Sequence, residues 1–167
     1  NISPIPMKVT FSKNVTGFIG TDIIISNGTW NQFSGSGADY NFNLEPTSDG
    51  NVTVNINANV ASDSDANGNY GAQQFSIIYD KTSPKVTIST TAESPTQLTL
   101  IPISLEFTES VVGFDSADIS IDNGILKNLI GWGKSYSFDL VPQGAGYIGI
   151  IFPAGKVNDI ADNGNEA

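Results

Sequence analysis

Apolar and polar residues alternate one for one over short runs along most of the chain, the period of strands that bury one face. Met7, Val9 and Phe11 alternate with Lys8 and Thr10, and Tyr40, Phe42 and Leu44 share one face of a later run. Val52, Val54 and Ile56 face inward, with Asn51, Thr53, Asn55 and Asn57 opposite them. Phe75, Ile77 and Tyr79 form another alternating run before Asp80–Pro84, and Lys85–Thr90 opens the next. No stretch has a helical period, and turns of Gly, Asn, Asp and Pro separate the runs. Asn27-Gly28, between Asp22–Ser26 and Thr29–Phe33, predicts a two-residue type I′ hairpin. In that register Ile25 faces Trp30, and Ile121 faces Leu126 in a second copy of the same stretch.

That second copy organises the whole sequence. Val15–Gly28, VTGFIGTDIIISNG, returns as Val111–Gly124, VVGFDSADISIDNG, at an offset of 96 residues, as from Gly17 to Gly113. A fixed long period signals tandem repeats, and this one is close to the roughly 100 residues of an immunoglobulin-like sandwich. The expected fold is all-β: two tandem immunoglobulin-like β-sandwiches, residues 1–80 and 85–167, joined by a linker at 81–84. Each Gly-Phe pair, Gly17-Phe18 and Gly113-Phe114, is expected to turn the backbone and plug a sandwich edge. Carrying the offset to the chain ends leaves two strands without counterparts. The match of Lys85–Thr90 would precede residue 1, and the match of Phe75–Tyr79 would follow Ala167. Domain one is thus expected to lack its first strand and domain two its last, leaving open sheet edges.

Composition narrows the function. Seven Lys, no Arg and 17 acidic residues give a net charge of −10, which repels nucleic acid and anionic lipid surfaces. Neither His nor Cys occurs. Their absence removes the usual general base, zinc ligand, thiol nucleophile and disulfide framework. No apolar run approaches the roughly 18 residues of a membrane span and no tripartite leader opens the sequence, so a mature soluble segment is expected.

FSKNVTGF, DIIISNG, FSGSGADYNFNL and ASDSDANGN, with their copies FTESVVGF, DISIDNG, LIGWGKSYSFDL and VNDIADNGN, resemble the bacterial Ig-like repeats of large surface proteins and adhesins. The resemblance implies an extracellular or cell-surface, non-catalytic structural or adhesive module. Its expected partners are neighbouring copies or repeats arranged head to tail, with strand addition into a filament as one form of assembly. Surface glycans are the alternative partner, bound by a carbohydrate-binding module that calcium could assist.

Candidate chemistry is sparse. Asp63, Asp65, Asn67 and Asn69, with Gly68, match the opening D-x-D-x-N-G of a calcium loop, although Gln74 stands where the closing Glu belongs. The copy offers Asp159, Asp162 and Asn163, its second acid shifted by one position. In related tandem repeats such a loop helps to hold calcium near a domain junction, with Asp80 as a further ligand here by that resemblance. The competing reading is that these residues form turns and cap their own backbone. Sequons begin at Asn1, Asn14, Asn27 and Asn51, the last three at loops or strand starts where a glycan would be solvated. Tyr70, Trp132 and Tyr147 could stack on sugars, Trp132 in its Gly-Trp-Gly turn being the most exposed expectation. Asp115 with Asp118, and Glu106 with Glu109, could be imagined as glycosidase acid pairs. No concave site is predicted around them, and Asp22 and Asp118 are expected to fix turns.

Overall fold

The alternation of Ile5, Met7, Val9 and Phe11 becomes the inward face of a long first strand in a computed structural model that describes residues 2–167. The chain divides into two units, Asn1–Lys81 and Thr82–Ala167. The first carries β1 (Ile5–Val15), β2 (Ile23–Ser26), β3 (Gly28–Pro46), β4 (Gly50–Ile56) and β5 (Phe75–Tyr79). β1 runs antiparallel to β3, placing Met7 opposite Phe42 and Val9 opposite Tyr40. A second sheet has the order β2-β4-β5. Phe42, Leu44, Val52, Val54 and Ile56 are buried between the two sheets, each side chain contributing about 1.5–3 kcal/mol on removal from water.

The glycine-phenylalanine plug forms as the sequence suggests. Gly17 has φ +90°, a conformation that a side chain would strain. Phe18 then enters the core, its ring 5.0 Å from Tyr40 and 5.2 Å from Phe11. One short turn follows, where the Asp22 carboxylate accepts the Ile19 N–H at 2.8 Å. Asp118 does the same for the Asp115 N–H at 2.9 Å.

The second unit carries β6 (Val86–Thr90), β7 (Ile101–Val112), β8 (Ser120–Asp122), β9 (Gly124–Pro142), β10 (Gly149–Ile151) and β11 (Asn158–Asp159). Leu105 of β7 pairs with Ile88 of β6 on one side and Tyr136 of β9 on the other. Farther along, Val111 pairs with Asp159 of β11 opposite Gly133. β6 and β11 therefore follow one another along the edge of β7 away from β9. The facing sheet is the pair β8-β10. Phe107, Phe138, Leu140 and Phe152 fill the core.

The expected Asn27-Gly28 hairpin does not form. Ile25 lies opposite Val54 of β4, not Trp30, and Ile121 lies opposite Ile150 of β10, not Leu126. Asn27 does adopt the left-handed conformation, φ 57°. Its side chain, however, bonds away from the turn, donating to the Ser48 carbonyl at 2.8 Å and accepting from the Ser48 hydroxyl at 2.6 Å. Asn123 donates likewise to the carbonyls of Tyr147 and Gly144. The turn thus passes the chain from one sheet to the other. The doubling back occurs within β3 instead, near Gly35 and Gly37, bringing the Asn43 amide to Gln32 at 3.0 Å.

Candidate functional site

The Asp-Asn loops are built on hydrogen bonds. Asp63 Oδ1 accepts the backbone N–H of Asp65 at 3.0 Å and of Asn67 at 2.9 Å, and the Asn67 side-chain amide reaches both carboxylate oxygens. Lys13 Nζ lies 2.9 Å from Oδ2. That ammonium, together with the Asn67 N–H groups, holds the Asp63 carboxyl well below the usual carboxylate range. In the copy, Asp159 Oδ1 accepts from Ala161 N and Asn163 N, both at 2.8 Å, and Oδ2 from the Asn163 amide. Burial pushes Asp159 up, but the Asn163 and Ala161 bonds outweigh it, so its carboxyl also sits below the ordinary value.

Asn69 and Asn165 have a role that sequence reasoning missed. Asn69 Oδ1 accepts the N–H groups of Val60 and Ala61, both at 2.9 Å, while Nδ2 donates to the carbonyls of Asn57 and Tyr70. Asn165 repeats all four bonds with Lys156, Val157, Pro153 and Glu166. Each asparagine clamps two backbone segments that would otherwise carry unpaired groups. The available signal was the recurrence of Asn at the same offset where the neighbouring acid, Asp65, becomes Ala161.

The remaining candidates are dispersed. Asp65 is exposed, and Asp162 accepts the Asn158 amide at 2.6 Å. Asn14 and Asn51 are exposed, whereas the Asn27 amide is engaged with Ser48; Asn1 lies outside the described residues. Trp132 is 86% exposed at the β9 turn, and Tyr70 and Tyr147 are more exposed still. Asp115 caps its own turn by accepting the Ala117 N–H at 2.7 Å, and Glu106 accepts the Ser135 hydroxyl.

The sheet edges differ most between the units. Where β6 lines β7, Ile101, Ile103 and Phe107 are buried and Leu105 is 0% exposed. Among the described residues no strand lies along the matching edge of β1, and just beyond its end Thr16 forms an isolated bridge with Ser62. The counterparts Ile5, Met7, Val9 and Phe11 are left half-buried. The facing sheets show the converse. β4, flanked by β2 and β5, buries Val52, Val54 and Ile56, whereas β10 has β8 alone and leaves Ile148 and Ile150 half-buried.

Among the described residues no helix is long and apolar enough to cross a membrane. Searches of curated proteins and of solved structures gave no match. A family model described as a bacterial Ig-like domain matches residues 4–78 and again residues 80–167. Such domains are typical of extracellular surface proteins and are generally non-enzymatic. Two adjacent matches, each spanning one plug, one sheet-switching asparagine and one Asn-clamped loop, make this chain a member of the bacterial Ig-like domain family with two tandem copies.

Proposed function

We propose that the chain is a structural segment of a repetitive extracellular surface protein or filament, without catalysis of its own, whose sandwiches are completed by added strands. The observation that carries this reading is the reciprocal exposure of the two edges. The half-buried row Ile5, Met7, Val9 and Phe11 matches a row that β6 flanks in the second unit, and half-buried Ile148 and Ile150 match buried Val52 and Val54, which β5 flanks in the first. An unpaired edge beside half-covered apolar side chains is a template for strand addition. Head-to-tail neighbours of the same family are the partners that would supply such strands.

The experiment extends the chain with its own strands. A copy of Thr82–Leu100 is placed ahead of Ile5, and a copy of Ala72–Tyr79 after Ala167, following the 96-residue correspondence. Both edges are expected to gain hydrogen-exchange protection, and the melting temperature to rise by about 5 °C or more. Unchanged exchange at β1 and β10 would overturn strand completion. A second reading, sugar binding, is favoured by Trp132 at its exposed turn. Its test is a glycan array probed with the chain and with Trp132→Ala; absence of binding by the unaltered chain removes it.

A further inference from the structure

The first unit covers its plug phenylalanine with two further rings. Phe33 lies 5.7 Å from Phe18 and stacks on Tyr40 at 5.7 Å, and Trp30 meets Phe33 edge-on at 6.0 Å. Gly20 gives Trp30 its room, since a Cβ there would overlap the indole. Phe18 and Tyr40 are buried as a result. The 96-residue offset carries Gly20, Trp30 and Phe33 onto Ser116, Leu126 and Leu129. Both rings are lost, and Phe114 and Tyr136, the counterparts of Phe18 and Tyr40, are only half-buried. A pocket of about 500 Å³ opens beside them, walled also by Leu126, Leu129 and Ile130.

The second unit carries on its surface what this pocket lacks. β9 doubles back at Gly131 and Gly133, as β3 does at Gly35 and Gly37, bringing the Asn128 amide to Asp139 at 2.8 Å. The β3 turn bears Ser34 and Ser36, whereas the β9 turn bears Ile130 and Trp132 in their places, 67% and 86% exposed. Two large apolar side chains beside an open apolar pocket form an interaction surface. The strand wall of the pocket is the arm of β9 that precedes the turn, not the arm paired with β7. Neither open sheet edge contributes to it.

Independently of strand completion, we propose that this pocket receives Trp132 of a second copy of the chain, two copies pairing about a two-fold axis with each indole against Phe114 and Tyr136 of the other. The first unit supplies the chemistry of the occupant, because there the same two positions are covered by the aromatic rings of Phe33 and Trp30. The chain supplies the occupant itself, since Trp132 is its one other tryptophan. Pocket and indole are neighbours, Gly131 lining the one and adjoining the other, so the surface is self-complementary as a two-fold interface requires. Charge permits the contact. The chain carries a net charge of −10, yet Gly124–Tyr136 contains Lys127 and Lys134 and no acid, which spares this face much of the repulsion between copies. Each buried aromatic side chain removes about 150–250 Å² from water, so two indoles with their pocket walls reach roughly 1,000 Å², the lower bound for a specific interface. The pairing is therefore weak and reversible, with half-association at roughly 0.1 mM.

The test uses the intact chain with fluorotryptophan in place of tryptophan, which gives one fluorine NMR signal for Trp30 and one for Trp132. On concentration from about 10 µM to about 1 mM, spanning the expected half-association, the Trp132 signal is expected to move and the Trp30 signal to stay. Sedimentation is expected to pass from monomer to dimer over the same range. Trp132→Ser, at a side chain too exposed to support folding, should abolish the dimer. Ser116→Gly with Leu126→Trp and Leu129→Phe, which restores the rings of the first unit, should abolish it too. A second measurement needs no variant: free methylindole added to the unaltered chain should shift the Leu126 and Leu129 methyl signals and return the dimer to monomer. A monomer at about 1 mM, roughly tenfold above the expected half-association, or a dimer that survives Trp132→Ser, would overturn the proposal. A dimer that methylindole leaves intact would overturn the pocket as the receiving site. Strand completion has a separate readout, exchange at β1 and β10, and stands or falls without this pairing.

Discussion

β1 and β7 carry the same alternation at the same offset, yet Leu105 is fully buried and Val9 is not, because β6 flanks β7 and no described strand flanks that edge of β1. On the opposite sheet the advantage reverses. β4 runs for seven residues between two partners, whereas β10 is reduced to three residues beside one. A strand's length and the burial of its inward residues are set by its neighbours as much as by its own sequence. The two units are therefore controls for one another, each complete where the other is open.

The largest expected effect tests that statement directly. Leu105→Ala should destabilise the second unit by about 3 kcal/mol, since it leaves a cavity under an intact cover. Val9→Ala should cost the first unit only about 1 kcal/mol, because its side chain is already partly in water. Hydrogen exchange resolved by peptide reads the two units separately. Equal losses would show that the β1 edge is covered in solution, and the comparison would break.

A somewhat smaller effect is expected where the units agree. Asn165→Ala removes four hydrogen bonds from a buried site and should cost about 2 kcal/mol, chiefly through the N–H groups of Lys156 and Val157 left without an acceptor. Asn69→Ala removes the same four bonds at a more open position, and water can replace part of them. Its loss should be smaller, about 1 kcal/mol, in the same exchange measurement. A larger loss at Asn69 than at Asn165 would mean that the first loop is the better covered of the two.

Strands, repeat and open edges were legible because each rests on a period: two for the strands, 96 for the units. The turns fixed by Asp22 and Asp118 were legible too, since an acid three residues beyond a chain bend has a local partner. Asn27-Gly28 misled because the left-handed turn is a local property, whereas its use as a sheet switch depends on Ser48, distant in sequence. The Asp63 loop was ambiguous for a different reason. Oxygen-bearing side chains at alternate positions can surround a cation or gather backbone N–H groups, and the sequence is the same in both cases.

Acid should separate the two loops modestly. Both Asp63 and Asp159 have carboxyls below their ordinary values, so each contributes stability that is complete above the unfolded value, about pH 4, and lost as pH falls through the lower folded value. Lys13 is the largest cause for Asp63 and has no counterpart in the second unit, where Glu109 occupies its place. Lys13→Ala should therefore reduce the acid dependence of the first unit between pH 5 and about pH 2. The second unit should keep its own. A matching change in both units would show that the loops titrate as one system.

The smallest expected effect concerns calcium, and it sharpens what the two loops have in common. Asp63 accepts bonds from Lys13, Asp65 and Asn67, and Asp159 accepts from Ala161 and Asn163. Asn67 and Asn163 present their amide N–H groups to these carboxylates, which a cation-bound loop would replace with oxygens. Hydrogen bonds thus account for the order of both loops, and adding chelator should leave both melting temperatures unchanged. A rise on adding calcium, lost in Asp63→Asn but kept in Asp159→Asn, would locate an ion in the first loop and separate the units by chemistry as well as by coverage. A rise lost in both variants would make the loops equivalent sites, despite the shift of their second acid from Asp65 to Asp162.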